Sequence, residues 1–337
     1  MTAAVASVLV VKLSSLGDVV HAMAAVQDMR RARPDLAIDW VVERAFAPLV
    51  ARCQGVRRVI PCDLRRWRGA LWSPQTRKEW RAFRADLRAH AYDAVIDVQG
   101  LTKSALVSWL ARTSARGLRY GLAQRSEGSS FEAPARWVAD CAVPLEPHVH
   151  AVQRARLLCA AALDYPLQGA PLFGLLAGNR ALRRDAGPGP AAGTRPVVAL
   201  VHGSSRQDKT WPQASWVALG QRLNANGYTV ALVHGTPAEL AQSKAIGAQL
   251  DDAWVWPALP LDAVTDTLAQ CAGVIGVDSG LSHLAVALDL PHVQIYNFDT
   301  AWRTGVQNAH QVCVFAQPQP AVDVVWQAWN GLEKRAP

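Results

Sequence analysis

The sequence predicts two doubly wound α/β domains, each a parallel sheet with helices on both faces. Three observations carry this. Short runs of aliphatic residues alternate with longer helical patterns along the chain, the rhythm of βαβ units. Those runs are apolar throughout rather than at every second residue, as strands buried on both faces must be. A stretch dense in Gly and Pro, YPLQGAPLFG and then DAGPGPAAGTRP, interrupts the rhythm near the middle of the 337 residues, as an interdomain linker does. At about 150 residues per domain the length also suits two domains. The expected division is 1–165 for the first domain, 166–195 for the linker and 196–320 for the second domain. A helix at 321–337 is expected to pack back on the domains.

Taken in order, strands are expected at 8–11, 38–42, 94–98, 197–201, 229–233, 274–277 and 292–296. Helices are expected at 18–31, 77–90, 103–111, 213–226, 237–249, 261–272 and 282–288. The apolar start, Ala3 to Val11, follows no basic residue and is closed by Lys12. It reads as a first strand rather than a cleaved signal. No apolar run reaches the ~18 residues of a membrane span.

Half the residues are hydrophobic and 18% are charged, which excludes a disordered or fibrous chain. The six cysteines lie far apart with no CxxC pair, so reduced thiols in a cytoplasmic protein are expected. The net charge of +8 is unevenly placed: residues 1–185 hold 27 Lys+Arg against 16 Asp+Glu, residues 186–337 hold 8 against 11. The first half is built to meet an anion. Arg supplies 29 of the 35 basic residues, and its planar fork suits carboxylate and phosphate. No zinc-finger spacing, RNA-binding aromatic motif or heptad array accompanies that charge, which argues against nucleic acid.

Ligands of open parallel sheets bind beyond the carboxyl ends of strands, and three strand–loop–helix junctions carry polar groups there. The first is VVKLSSLGD, residues 10–18. It contains neither GxGxxG nor GxxxxGK. Asp18 is expected at the N-cap of the next helix, or as a carboxylate on a cleft floor that takes a proton from a hydroxyl; Ser14, Ser15 and Gly17 let the loop approach a ligand. The second is LVHGSSRQDKTWP, residues 200–212. Ser204, Ser205 and Lys209 form a candidate phosphate cradle. The third is VIGVDSGLSH, residues 274–283. Asp278 and Ser279 end the strand, Gly280 opens a helix whose N–H groups attract a pyrophosphate, and His283 lies in its first turn. Glu239 faces the same sheet end, either to pair with ribose hydroxyls or to satisfy its own helix N-terminus.

A fourth feature is the basic, tryptophan-rich stretch from Leu64 to Arg88. Trp80, Phe83 and Leu87 make an inward stripe on a helix, with the basic residues outside it. Arg65, Arg66 and Arg68 fall outside that periodicity, in an expected loop that can turn toward an anion, and the tryptophans suit an interface.

Together, VKLSSLGDVVHAMAAV, IPCDLRRWRGALW, YDAVIDVQGLTKSALV, HGSSRQDKTWP and GVDSGLSHLAVALDLP resemble the lipopolysaccharide heptosyltransferases of glycosyltransferase family 9. The resemblance spans nearly the whole chain, from the first strand to about residue 300. It implies the GT-B arrangement of two Rossmann-like domains facing across a cleft. It also implies inverting transfer of L-glycero-D-manno-heptose from ADP-heptose to Kdo of lipid A, on the cytoplasmic face of the inner membrane. By the same resemblance Asp18 is the general base and Lys209 serves the leaving group. Ser204, Ser205, Lys209, Glu239, Asp278, Ser279, Gly280, Leu281 and His283 bind the donor. Ser15, Gly17, Arg65, Arg66, Arg68 and Arg125 bind the acceptor.

The chain departs from the family pattern at three places. Gly69 stands where a lysine ends the basic stretch, DSG replaces DTG and keeps the hydroxyl, and Asn297 to Thr300 replace a Gly-Pro-Thr stretch. No Asp-x-Asp or His cluster suggests a metal, so the expected mechanism uses neither metal nor cofactor, in a monomer. The alternatives are transfer of the second heptose, which the RRWR stretch disfavours, and a sugar-nucleotide epimerase, which needs no anionic acceptor. A non-catalytic nucleotide-sugar binder is disfavoured by Asp18 and Lys209.

Overall fold

A computed structural model describes residues 6–178, 195–306 and 308–333. The chain divides into two compact units, Met1–Leu176 and Ala177–Pro337. The first holds β1 (Ser7–Val11), β2 (Ala37–Glu43), β3 (Val56–Cys62), β4 (Tyr92–Asp97), β5 (Thr113–Leu122) and β6 (Cys141–Val143). The second holds β7 (Val197–Val201), β8 (Thr229–Leu232), β9 (Ala253–Val255), β10 (Gly273–Val277), β11 (His292–Tyr296) and β12 (Gln311–Phe315).

Both sheets are wholly parallel and share one topology. Their orders are β3-β2-β1-β4-β5-β6 and β12-β11-β10-β7-β8-β9. Each therefore reverses direction between its first and fourth strands, at β1/β4 and β7/β10. Loops leaving these two neighbours diverge to opposite faces and open a crevice at the strand ends. The central strands are buried on both faces: β7, β10 and β11 have no exposed residue. That is why their sequences read as unbroken apolar runs.

All seven expected strands form, within a residue or two of their predicted limits. β3, β5, β6, β9 and β12 add to them. β5 pairs with β4 at Thr113 and again from Leu118 to Gly121, across a register shift. In the first unit Leu9, Val11, Val41, Ile60 and Val95 meet Trp67, Phe83 and Leu87 in one core. In the second, β-strand aliphatics pack with Trp211, Trp216 and Trp329.

The terminal helix Val322–Glu333 packs on β11, β12 and the helix Gln213–Ala225, all in the second unit. Its Val325, Trp329 and Leu332 enter that unit's core. Residues 166–176, expected as the start of the linker, lie against the first unit. Leu175 bridges to Cys53, and Gln54 N–H donates to the Gly174 carbonyl at 2.8 Å. The rest of the expected linker, from 179 to 194, lies outside the described residues.

Candidate active site

The first cluster sits at the β1/β4 reversal. The chain leaves β1 through Lys12 to Ser14 and enters the helix Leu16–Ala32, whose N-cap is Ser15. Asp18 is thus the third helical residue, not the N-cap expected from the sequence. It reaches back instead: Oδ2 accepts from Ser15 N–H at 3.1 Å and from Ser15 Oγ at 2.8 Å. This satisfies one of the donors a helix start leaves open. Lys12 Nζ lies 3.7 Å from Asp18 Oδ1, with the lysine side chain 7% exposed and the aspartate 39%. Burial alone would raise the Asp18 carboxyl, but the Lys12 and His21 charges and the two Ser15 bonds outweigh it. Asp18 is held well below the usual carboxylate range, so it is ionised at neutral pH.

Loop position is fixed from β4. Gln99 Oε1 accepts from Leu13 N–H at 2.7 Å and Ser14 N–H at 3.2 Å, and Lys103 Nζ donates to Ser14 Oγ at 2.6 Å. Gln99 is itself buried. Sequence reasoning missed Gln99 and Lys103; both lie in the VQGLTK segment it quoted, after a strand it located. Ser15 is bonded to Asp18, and Gly17 is buried within the first helical turn.

The basic stretch departs from expectation. Arg65, Arg66 and Arg68 lie on a short helix, Leu64–Gly69, not in a loop. The cause is Trp67, which is buried and donates its Nε1–H to Glu79 at 2.8 Å. Its ring meets Trp80 and Phe83, with centroids 5.7 and 5.5 Å away. Anchoring this one indole folds the flanking residues into a turn and sends the arginines different ways. Arg66 pairs with both Asp63 and Glu79. Hydrogen bonds from Trp67, Gln75 and Arg66 lower the Glu79 carboxyl to about 2. Arg65 and Arg68 instead line a cavity of about 600 Å³, whose walls include Trp67, Trp80, Leu106 and Lys103. Because Lys103 also bonds Ser14, this cavity opens beside the Asp18 loop. Arg125 is elsewhere, in the loop after β5, donating to the Ser129 carbonyl at 2.9 Å; it is not among the residues that line the cavity.

The second cluster sits at the β7/β10 reversal, entirely within the other unit. Asp278 directly follows β10 and accepts from Lys209 Nζ at Oδ2, 2.5 Å away. His283 Nε2 lies 3.3 Å from its Oδ1. Burial would raise this carboxyl, but the bond and charge of His283 and then Lys209 hold it well below the usual range. Ser204 Oγ donates to the Asp278 carbonyl at 3.4 Å, tying the two strand-end loops together. Ser205 is exposed on the same loop.

Ser279 is the N-cap of the helix Gly280–Ala287, and its Oγ is buried without a hydrogen-bond partner among the described residues. Gly280 and Leu281 are that helix's first two residues, so their N–H groups are uncommitted to its own turns. Asn297, first of the divergent stretch, is buried and donates to the carbonyls of Asp208 and Thr210 at 3.1 and 2.9 Å. It brackets Lys209 and fixes the loop that carries it. The sequence pattern marked Asn297 only as a departure.

Glu239 does its capping with one oxygen. Oε2 accepts from Gly235 and Thr236 N–H at 2.7 and 3.0 Å. Oε1 faces Gly203, where a Cβ would sit 2.3 Å from it. A side chain at 203 would push the Glu239 carboxylate aside. Among the described residues, no three His, Cys, Asp or Glu side chains group as a metal site.

Comparison with known proteins places this geometry. The pattern of glycosyltransferase family 9 (heptosyltransferase) matches residues 80–330. The lipopolysaccharide heptosyltransferase 1 of Pseudomonas aeruginosa is 39% identical over 307 residues, covering 90% of this chain and 82% of its own. The lipopolysaccharide heptosyltransferase 2 of Salmonella typhimurium is 27% identical over 303 residues, 86% of this chain and 82% of its own. The E. coli heptosyltransferase WaaC, solved with ADP, is 31% identical, with a TM-score of 0.84 over 98% of this chain and 100% of its own. Solved with ADP-2-deoxy-2-fluoro heptose, it gives 32%, 0.80 and the same coverage. The two doubly wound units are thus those of a GT-B glycosyltransferase, and the chain belongs to glycosyltransferase family 9, the heptosyltransferases.

Proposed function

We propose that this enzyme transfers L-glycero-D-manno-heptose from ADP-heptose to Kdo of lipid A, with inversion at the anomeric carbon, in lipopolysaccharide inner-core synthesis. The similarity to a heptosyltransferase 1 exceeds that to a heptosyltransferase 2 by 39% to 27%, which favours the first heptose over the second. The observation that carries the chemistry is Asp18. It is an ionised carboxylate at a sheet-reversal point, oriented by Ser15 and Lys12 and partly open to solvent.

Asp18 takes the proton from an acceptor hydroxyl as the oxygen attacks the anomeric carbon. Lys12 keeps Asp18 charged and oriented, at the expense of some basicity. ADP departs from the opposite side of the sugar. Its growing charge is met by Lys209, by the Ser204, Ser205 and Ser279 hydroxyls, and by the helix N-terminus at Gly280 and Leu281. Asp278 holds Lys209 and His283 at the phosphates, and Glu239 Oε1 takes a ribose hydroxyl. No metal is required, because a lysine and a helix N-terminus supply the positive potential.

Arg65, Arg68 and Lys103 hold the acceptor's carboxylates and phosphates beside the 600 Å³ cavity. Ser15 and Gly17 shape the approach to Asp18, and Arg66 secures the short helix. Arg125 provides a further basic contact to the acceptor. The enzyme works at the cytoplasmic face of the inner membrane, as a monomer. Among the described residues no helix is long and apolar enough to cross a membrane, and a lipid-linked acceptor brings the enzyme to the surface instead.

The test is ADP release from purified enzyme with Kdo–lipid A, using ADP-heptose and other ADP-sugars in parallel. Release only with ADP-heptose supports the reading, and equal release with other ADP-sugars overturns it. EDTA should leave the rate largely intact; a loss restored by Mg²⁺ would refute the metal-free mechanism.

A further inference from the structure

The first unit carries large apolar side chains that face solvent. Leu71 and Trp72, in the turn between the helices Leu64–Gly69 and Pro74–Leu87, are 60% and 84% exposed. On the helix Thr102–Leu110, Leu106 and Trp109 are exposed while Ala105, Val107 and Leu110 are buried. Three residues apart, Leu106 and Trp109 share the outer face of that helix. Leu71 and Leu106 line the same cavity, so the turn and the helix face are neighbours and form one apolar rim. Exposed apolar side chains gathered in this way mark an interaction surface.

Charge identifies the partner. Residues 64–88 hold eight Lys or Arg against two Asp or Glu, and Arg68, Arg77, Lys78, Arg81 and Arg84 are exposed. Arg77 lies over the Trp72 ring, 5.7 Å from its centroid. A guanidinium stacked on an indole puts a cation and an amphipathic ring at one level, the level of lipid headgroups. A protein partner of opposite charge would meet the arginines but would not call for an exposed Trp and Leu at a turn tip. A bilayer with anionic headgroups satisfies both.

We infer that residues 70–73 and the outer face of the helix Thr102–Leu110 dock on an anionic bilayer, inserting Leu71, Trp72, Leu106 and Trp109 among the headgroups. This rests on the lipid-linked acceptor proposed above and adds which surface meets the membrane. Docking there sets the mouth of the cavity, and the Arg65 and Arg68 side chains that line it, against the headgroup layer. The acceptor's sugar then needs to rise only a short way to reach Asp18.

The experiment is co-sedimentation of the full chain with vesicles of phosphatidylethanolamine and phosphatidylglycerol, and with pure phosphatidylcholine vesicles. The wild type should bind the anionic vesicles at 0.1 M salt and not the neutral ones, with each basic side chain near the surface contributing about fivefold. Trp72→Ser combined with Trp109→Ser should weaken binding at least tenfold. The double variant should turn over a water-soluble, deacylated acceptor within twofold of wild type, which shows that it folds. In the wild type, brominated lipids should quench tryptophan fluorescence; in the double variant that quenching should largely vanish. Equal vesicle binding by wild type and double variant would overturn the inference, as would no binding by the wild type. A lipid-free dimer that the double variant dissociates would assign the face to a second copy and overturn it too. Turnover of the soluble acceptor reports on heptosyl transfer alone, so its absence in the wild type would refute that reading while vesicle binding still decides this one.

Discussion

Lys209 Nζ lies 2.5 Å from Asp278 Oδ2, joining two strand-end loops 69 residues apart in sequence. His283 meets the other oxygen of the same carboxylate. The aspartate therefore sets where both side chains stand. Lys209→Ala should lower turnover and weaken ADP affinity together, because it removes a charge aimed at the leaving group. Asp278→Asn should also weaken ADP binding, through Lys209 and His283 losing their tether. Calorimetry decides: unchanged ADP affinity in Lys209→Ala would remove it from the pyrophosphate.

The same carboxylate gives a pH-dependent stability. Its folded pKa is depressed, so its ion pairs stabilise the folded state fully above the ordinary carboxylate value of about 4. That stabilisation declines as pH falls below it toward the folded pKa. Asp278→Asn should melt at lower temperature than wild type at pH 7, and the gap should narrow steadily from about pH 4 downward. Calorimetric melting of both proteins across that range tests the sign. A gap that widens in acid would contradict it.

Asp18→Asn keeps the size of the side chain and a hydrogen bond to Ser15, while removing the base. Turnover should fall about 10²–10⁴-fold, the usual cost of losing a general base, with ADP-heptose affinity retained. A variant with more than about a tenth of wild-type turnover would reduce Asp18 to a helix-capping role.

Central strands and the polar loops that follow them were legible because their signals are local. β1, β7 and β10 are apolar on both faces, and Ser204, Lys209 and Asp278 follow such strands directly. The four edge strands β3, β6, β9 and β12, and β5 beside one edge, were not. β3 and β5 carry Arg57, Arg58, Arg116 and Arg119, which breaks the apolar run, and β6 and β9 have three residues each. The helix Leu64–Gly69 is under two turns long, too short for a period to show. What folds it is Trp67 meeting Glu79, Trp80 and Phe83, a contact no window of RRWRG contains. Gln99 and Asn297 escaped for a similar reason: their bonds reach Leu13 and Asp208, 86 and 89 residues away.

Lys12 should tune Asp18. Its Nζ is buried, 3.7 Å from Asp18 Oδ1, and also donates to the Val98 carbonyl at 3.4 Å. Asp97 and Arg154 also act on Lys12, and His21 also acts on Asp18. A base that works ionised loses activity as pH falls through its pKa. In wild type the acid limb of kcat/KM assigned to Asp18 should therefore lie below the ordinary carboxylate range. Lys12→Met removes the largest charge that opposes burial, so the Asp18 pKa rises and the acid limb moves to higher pH. A pH profile that is unshifted while kcat falls would mean that Lys12 only supports the fold.

The three arginines of the short helix should separate in kinetics. Arg65 and Arg68, three residues apart, line the cavity beside the Asp18 loop, whereas Arg66 is paired with Asp63 and Glu79. Arg65→Ala and Arg68→Ala should each raise the acceptor KM roughly tenfold to a hundredfold, the range of about 1.5–3 kcal/mol for a charged hydrogen bond. ADP-heptose KM should stay near wild type. Arg→Lys at either position should rescue only partly, since a point charge cannot reproduce the bidentate fork. Higher salt should weaken acceptor binding in wild type and have less effect in the two variants, because screening acts on the exposed contacts they lack. Arg66→Ala acts differently: it leaves Glu79 without one partner and loosens the helix, so both its thermal stability and its acceptor KM should change. Steady-state kinetics with both substrates varied, beside melting curves, separates the two classes. Unchanged acceptor KM in both Arg65→Ala and Arg68→Ala would remove this cavity from the acceptor site.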